Sequence, residues 1–89
     1  MAIRDVSLAF KALSDPTRRD ILKKLRNRSM TPGEMTTFFP ISKPSLSHHL
    51  ALLKSANLIT ADKEGQKIYY SLNATVFYEI LNNFLEGFK

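Results

Sequence analysis

The stretch Thr31-Pro32-Gly33-Glu34-Met35-Thr36-Thr37-Phe38-Phe39-Pro40-Ile41-Ser42-Lys43-Pro44-Ser45-Leu46-Ser47-His48-His49-Leu50-Ala51-Leu52-Leu53-Lys54-Ser55 reads as two short helices with a tight break between them. Thr31 followed by Pro32 is a helix cap with proline in the first turn, and Glu34 completes a capping box. Phe39-Pro40-Ile41 ends that helix, and Ser42 caps the next. The spacing predicts helices over 32–38 and 43–55. Stepped by about 100° per residue, Leu46, Leu50, Leu53 and Ala56 fall within an arc of about 120°, the stripe of a helix that faces a core. The opposite arc collects Lys43, Ser47, Ala51 and Lys54, with Pro44, His48 and Ser55 at its edge. That outward face is small, polar, basic and free of acids. The two histidines separate on this wheel: His48 points outward, whereas His49 lies near the core edge, where a bond to a neighbouring backbone or side chain is expected.

Reading outward from this pair, Asp15-Pro16 repeats the cap-and-proline signal and opens a helix over 16–26, preceded by one over 4–13. After the second helix of the pair the texture changes. Ile59-Thr60-Ala61 leads into Asp62-Lys63-Glu64-Gly65-Gln66, and Lys67-Ile68-Tyr69-Tyr70-Ser71-Leu72 follows. Strand-forming Ile and Tyr around a polar loop with one glycine predict a β-hairpin. Asn73 caps a last helix over 74–87. The expected order is α-α-α-α-β-β-α: a mainly α fold with a β-hairpin wing, a winged helix-turn-helix. With no repeat and no break in composition, residues 1–89 are read as one domain.

Composition narrows the function. The chain has 89 residues and no cysteine, which excludes a disulfide framework, a thiolate zinc site and a Cys nucleophile. Three glycines leave no room for a Gly-rich phosphate loop. No apolar run approaches the ~20 residues of a membrane helix, and Met1-Ala2-Ile3-Arg4-Asp5 is no signal peptide. A soluble cytoplasmic protein without membrane insertion is expected. Thirteen Lys and Arg against eight Asp and Glu give a net charge of +5. Between Glu34 and Asp62 there is no carboxylate at all. A surface that approaches phosphates gains by excluding carboxylates. Adjacent histidines on a helix point about 100° apart and do not chelate one ion, so no metal or other cofactor is expected. No nucleophile, base and orienting partner come together, which argues against an enzyme. Short polar side chains on an exposed helix suit the major groove: hydroxyls and imidazole reach base edges, and an alanine methyl meets a thymine methyl. Ser42, Lys43, Pro44, Ser45, Ser47, His48, Ala51 and Lys54 are therefore candidate DNA contacts.

Three segments resemble the ArsR (arsenic-repressor-like) family of bacterial winged-helix repressors. Ala12-Leu13-Ser14-Asp15-Pro16-Thr17-Arg18-Arg19-Asp20-Ile21-Leu22 is similar to that family's opening signature. Ile41 to Leu50, running on through Leu53-Lys54-Ser55-Ala56-Asn57-Leu58-Ile59, resembles its recognition helix, and Gly65 to Leu72 its wing. The resemblance implies a homodimeric, operator-binding transcriptional repressor. It places recognition residues at Lys43, Ser45, Ser47 and His48 and wing contacts at Lys63, Gln66 and Lys67. Metal-sensing members carry a Cys-containing motif in the helix matching 32–38, which here is Pro32-Gly33-Glu34-Met35-Thr36-Thr37-Phe38. Others use an Asp/His pair with a later His/Glu pair in the last helix, and 74–87 holds neither His nor Asp. The likeness is to the metal-free branch of small autorepressors.

The last helix argues for a dimer independently. Val76, Phe77, Ile80, Leu81, Phe84, Leu85 and Phe88 spread over about 180° of its surface, against the ~100° that one core covers. The first helix has a similar surplus in Ile3, Val6, Phe10 and Leu13, with Leu8 on the far side. Ile3, Val6, Leu8, Phe77, Ile80, Leu81, Phe84, Leu85 and Phe88 are the expected interface of a homodimer. On the second helix, the cations are read as a solvated face, with an Asp20–Lys24 pair, Arg18 as an ion-pair residue with Asp15, and Arg28 as a phosphate contact. A protein-binding winged-helix module and a metal-responsive repressor are the alternatives. Relief by an inducer, by a sequestering protein or by repressor concentration alone all fit the sequence.

Overall fold

A computed structural model describes residues 6–88. Ile3 lies outside them. The elements are α1 (Val6–Leu13), α2 (Pro16–Asn27), α3 (Pro32–Met35), α4 (Lys43–Ser55), β1 (Ile59–Glu64), β2 (Lys67–Leu72) and α5 (Ala74–Glu86), in the expected order. The fold is the mainly helical one with a two-stranded hairpin before the last helix.

Local chemistry explains the boundaries. Asp15 accepts the Arg18 N–H at 3.1 Å and Ser42 accepts the Ser45 N–H at 3.2 Å, each satisfying one of the unpaired donors of a first turn. The capping box is complete: Glu34 N–H donates to Thr31 Oγ1 at 3.1 Å, and Thr31 N–H to Glu34 Oε1 at 3.0 Å. The helix behind that box is shorter than the predicted 32–38. It ends at Met35 because Thr36 and Thr37 turn their hydroxyls back onto the Gly33 and Glu34 carbonyls, each at 2.7 Å. The next turn tightens, with the Thr37 and Phe38 N–H groups bonded three residues back.

The exit from α4 is a Schellman motif. Asn57 adopts φ 60°, its N–H donates to Lys54 O at 2.9 Å, and Leu58 N–H donates to Leu53 O at 3.0 Å. That left-handed residue reverses the chain into β1. The hairpin is antiparallel, pairing Ile59 with Leu72 and Glu64 with Lys67. Gly65, at φ 63°, is the first residue of its two-residue turn, the position that demands positive φ in a type II′ turn. Met30 exchanges two backbone hydrogen bonds with Tyr70, so the α2–α3 connection pairs with the free edge of β2.

The core gathers one stripe from each helix: Ala9 and Ala12 of α1, Ile21, Leu22 and Leu25 of α2, Met35, then Leu46, Leu50 and Leu53 of α4. Leu58 and Ile59 at the base of the wing, and Val76 and Ile80 of α5, close it. Tyr70 and Leu72 pack against its edge. Among the described residues no helix is long and apolar enough to cross a membrane.

Candidate nucleic-acid interface

Helix α4 is held by its apolar stripe, which packs against α1, α2 and β1. Its thirteen residues span about 20 Å. The predicted contact residues Ser42, Lys43, Pro44, Ser45, Ser47, His48, Ala51 and Lys54 are all exposed. Lys43, Ser47 and Lys54 form no side-chain hydrogen bond or ion pair with another described residue. Pro44 sits in the first turn, where a missing N–H removes nothing from the helix ladder.

The absence of acids is reinforced by what happens to Glu34, the last carboxylate before α4. Arg28 Nη1 meets its Oε2 at 2.9 Å. The Thr31 N–H, and then this guanidinium, hold the Glu34 carboxyl below its ordinary range. Its negative charge is therefore spent on the cap and on Arg28. Arg28, expected as a phosphate contact, thus has an exposed carboxylate partner in the protein itself.

The expectation for Arg18 is corrected. It is not an ion-pair partner of the Asp15 carboxylate, which takes the Arg18 backbone N–H instead. The Arg18 side chain is only 8% exposed, and its Nε donates to Ala12 O at 2.8 Å and Nη2 to Lys11 O at 2.9 Å. Nη1 lies 3.2 Å from His49 Nδ1. One guanidinium thus ties the last carbonyls of α1 to the recognition helix, and His49 has the neighbour its position near the core edge called for. The expected Asp20–Lys24 pair is replaced by Asp20–Lys23, at 3.9 Å. Lys24 instead lies over the Phe38 ring, 4.5 Å from its centroid.

The wing residues Lys63, Gln66 and Lys67 are exposed as well. The register does not gather them on one side. Lys63 pairs with Ile68 and Lys67 with Glu64, and successive pairs present opposite faces, so the two lysines flank the hairpin. Of these three, only Gln66, which shares the turn with Gly65, has no strand partner.

The terminal helices carry a second surface. Phe10 of α1 and Phe84 of α5 meet edge-to-face with centroids 5.0 Å apart, and Phe88 stands 5.0 Å from Phe84. Val6, Leu8 and Leu85 are exposed with them. Phe77 and Leu81 are half-buried. Ile80 leaves the expected interface set: it is fully enclosed in the core, because α5 turns that face inward together with Val76. Among the described residues no group of three or more His, Cys, Asp or Glu is arranged to hold a metal ion.

The residues that sequence reasoning missed are Asn57 and the Arg18 anchor. An asparagine directly after a predicted helix is a recognised left-handed stop signal. The Arg18–His49 contact joins residues on two separate helices and leaves no local trace.

A family model described as a helix-turn-helix domain matches residues 13–61. The transcriptional repressor SdpR of Bacillus subtilis is 55% identical over 73 residues, covering 82% of this chain and 81% of that protein. The arsenical resistance operon repressor of Staphylococcus aureus is 34% identical over 83 residues, covering 93% and 80%. Among solved structures, an ArsR-like transcriptional regulator from Rhodococcus sp. RHA1 superposes with a TM-score of 0.86 at 26% identity, covering 91% of this chain and 74% of that one.

Proposed function

This chain belongs to the ArsR family of helix-turn-helix transcriptional repressors, and we propose that it acts as a homodimer on an inverted-repeat operator in the cytoplasm. It is a regulator rather than an enzyme. The observation that carries the reading is the outer face of α4: exposed, basic, built of short side chains, without a carboxylate and without a large apolar group. A protein-docking helix would present the large apolar groups that this face lacks.

Ser47 and His48 read base edges, Ala51 meets the groove floor, and Lys43 and Lys54 neutralise phosphates. Ser42, Pro44 and Ser45 set the first turn against the backbone. Lys63, Gln66 and Lys67 anchor the wing on flanking phosphates. The exposed surfaces of Val6, Leu8, Phe84, Leu85 and Phe88, with the half-buried Phe77 and Leu81, cover one another across a two-fold axis. Two α4 helices then enter successive major grooves about 34–36 Å apart.

Selection of binding sites from random duplexes tests this. The selected sequences should be two-fold symmetric. With about 8–10 phosphates contacted, log K should fall against log salt with a slope of about −7 to −9. Ser47→Ala with His48→Ala should cost about 1–3 kcal/mol per lost base contact and relax specificity at the matching positions. Lys43→Ala should instead weaken all sequences alike and flatten the salt slope. Asymmetric selected sites refute the dimer; undiminished discrimination in the Ser47/His48 variant refutes the groove face.

A further inference from the structure

One cavity lies away from the outer face of α4 and meets the terminal-helix surface only at Phe77. It has a volume of about 220 Å³, and no residue of α3 or α4 lines it. Leu13, Leu22, Leu72 and Phe77 form an apolar floor where the end of α1, the middle of α2, the end of β2 and the first turn of α5 meet. The rim is cationic: Arg19, Lys23 and Arg26 share one face of α2 with Leu22, at helical spacing. No carboxylate lines the cavity.

The helix that carries them explains only one of these cations. The macrodipole favours cations in the last turn, which accounts for Arg26, but Arg19 lies in the first. Arg19 and Lys23 are four residues apart and repel one another. Arg19 Nη1 donates to Leu13 O at 2.8 Å, which holds the guanidinium over the cavity. Lys23 has the exposed Asp20 at 3.9 Å, and Arg26 has no side-chain partner among the described residues. Two arginines and a lysine above an apolar floor are complementary to a molecule with an anionic head and an apolar body. A planar carboxylate matches the guanidinium fork. The volume limits that body: a cavity of about 150 Å³ takes benzene, so this one takes a single substituted ring or a short alkyl chain.

We propose that the cavity binds a small amphipathic organic anion, an aryl or alkyl carboxylate, as an effector of the repressor. The word effector rests on the function proposed above; the binding does not. The cavity joins the terminal helices of the proposed dimer to the strand that ends the wing, so an occupant would bear on both.

The test uses 4-butylbenzoate and its neutral isostere 4-butylbenzamide on the full chain. In amide-correlation NMR without DNA, the carboxylate should give saturable shifts centred on Leu13, Leu22, Leu72 and Phe77. The amide should bind at least about tenfold more weakly, because it loses the charge-assisted hydrogen bonds. Arg19→Gln with Arg26→Gln should bring the carboxylate down to the amide's affinity while leaving the amide unchanged. Shifts centred on Phe84 and Phe88, equal binding of acid and amide, or no saturation at millimolar ligand would each overturn the site. A second arm measures operator affinity with and without 4-butylbenzoate. A change present in the wild type and absent in the double-Gln variant supports the effector role; unchanged affinity in a ligand-saturated protein overturns it. Binding is read without DNA, so failure of the operator reading and failure of the cavity are separable.

Discussion

Truncation of Phe84 tests the proposed homodimer. The residue is 44% exposed in the protomer, its ring set edge-to-face on Phe10 and tilted against Phe88. A phenylalanine has about 150–250 Å² to bury, so about 90 Å² of this one remains for a partner to cover. At about 25 cal/mol per Å², that area is worth about 2 kcal/mol. Two-fold symmetry doubles it, and Phe84→Ala should weaken the dimer by about 4 kcal/mol, close to a thousandfold in dissociation constant. Sedimentation equilibrium over a broad concentration range reads the constant directly, with circular dichroism to establish that the variant is folded. The area is an upper bound, since the interface need not cover every exposed atom. A folded variant whose constant moves less than tenfold places the ring outside the interface, and a wild type that stays monomeric at high micromolar concentration refutes the paired arrangement altogether.

Three further outcomes follow from the geometry. Arg18→Met should destabilise the protein by about 2 kcal/mol in urea unfolding, because it leaves the buried Ala12 carbonyl and His49 without their donor, whereas Lys11 O keeps the Ser14 N–H and hydroxyl; a loss under 1 kcal/mol would mean that water replaces the guanidinium. Asn57→Val should cost about 1–2 kcal/mol, the penalty of a left-handed β-branched residue, whereas Asn57→Gly should be nearly neutral in the same melts. Glu34 sets an acid limb. Its carboxyl is held low by the Thr31 N–H and by Arg28, so its contribution is present above the unfolded value and is lost as pH falls through the folded one. Glu34→Gln keeps the capping geometry but not the titration, so wild type and variant should differ in melting temperature at pH 6, and the gap should begin to close only as pH falls below about 4.3, the ordinary glutamate value; a gap that narrows already above that pH, or does not change down to the acid limit of folding, would contradict this.

Much of the fold was legible because its boundaries are written in single residues. Asp15, Thr31, Ser42 and Asn73 each cap the helix they were expected to cap, since a cap depends on a side chain and an N–H three positions away. The outward face of α4 was legible for a similar reason, as a helix fixes which residues share an arc. What escaped depends on neighbours distant in sequence or on side-chain rotamers that the sequence leaves open. Arg18 carries no sign that it will meet His49 across a helix pair. The stop at Met35 depends on whether Thr36 and Thr37 turn their hydroxyls inward, and propensity does not settle that.

The last helix shows where the boundary of such reasoning lies. Its apolar residues cover about half the circumference, and the surplus was assigned around the axis, one arc to the core and the rest to a partner. The structure divides them along the axis as well. Val76 and Ile80, in the first half of α5, are buried in the protomer, while Phe84, Leu85 and Phe88 extend past the end of that core and stay exposed. Helical periodicity resolves angle, and it carries no information on how far along a helix the neighbouring elements reach. The 89-residue chain has too little core to cover all of α5. The exposed aromatic end, facing Phe10 of α1, is therefore the part of the helix where a second copy has area to gain. An Ile80→Ala variant should accordingly lower the protomer's own stability by about 2–5 kcal/mol, as a core truncation does, and leave the dimer constant of the folded fraction near that of the wild type.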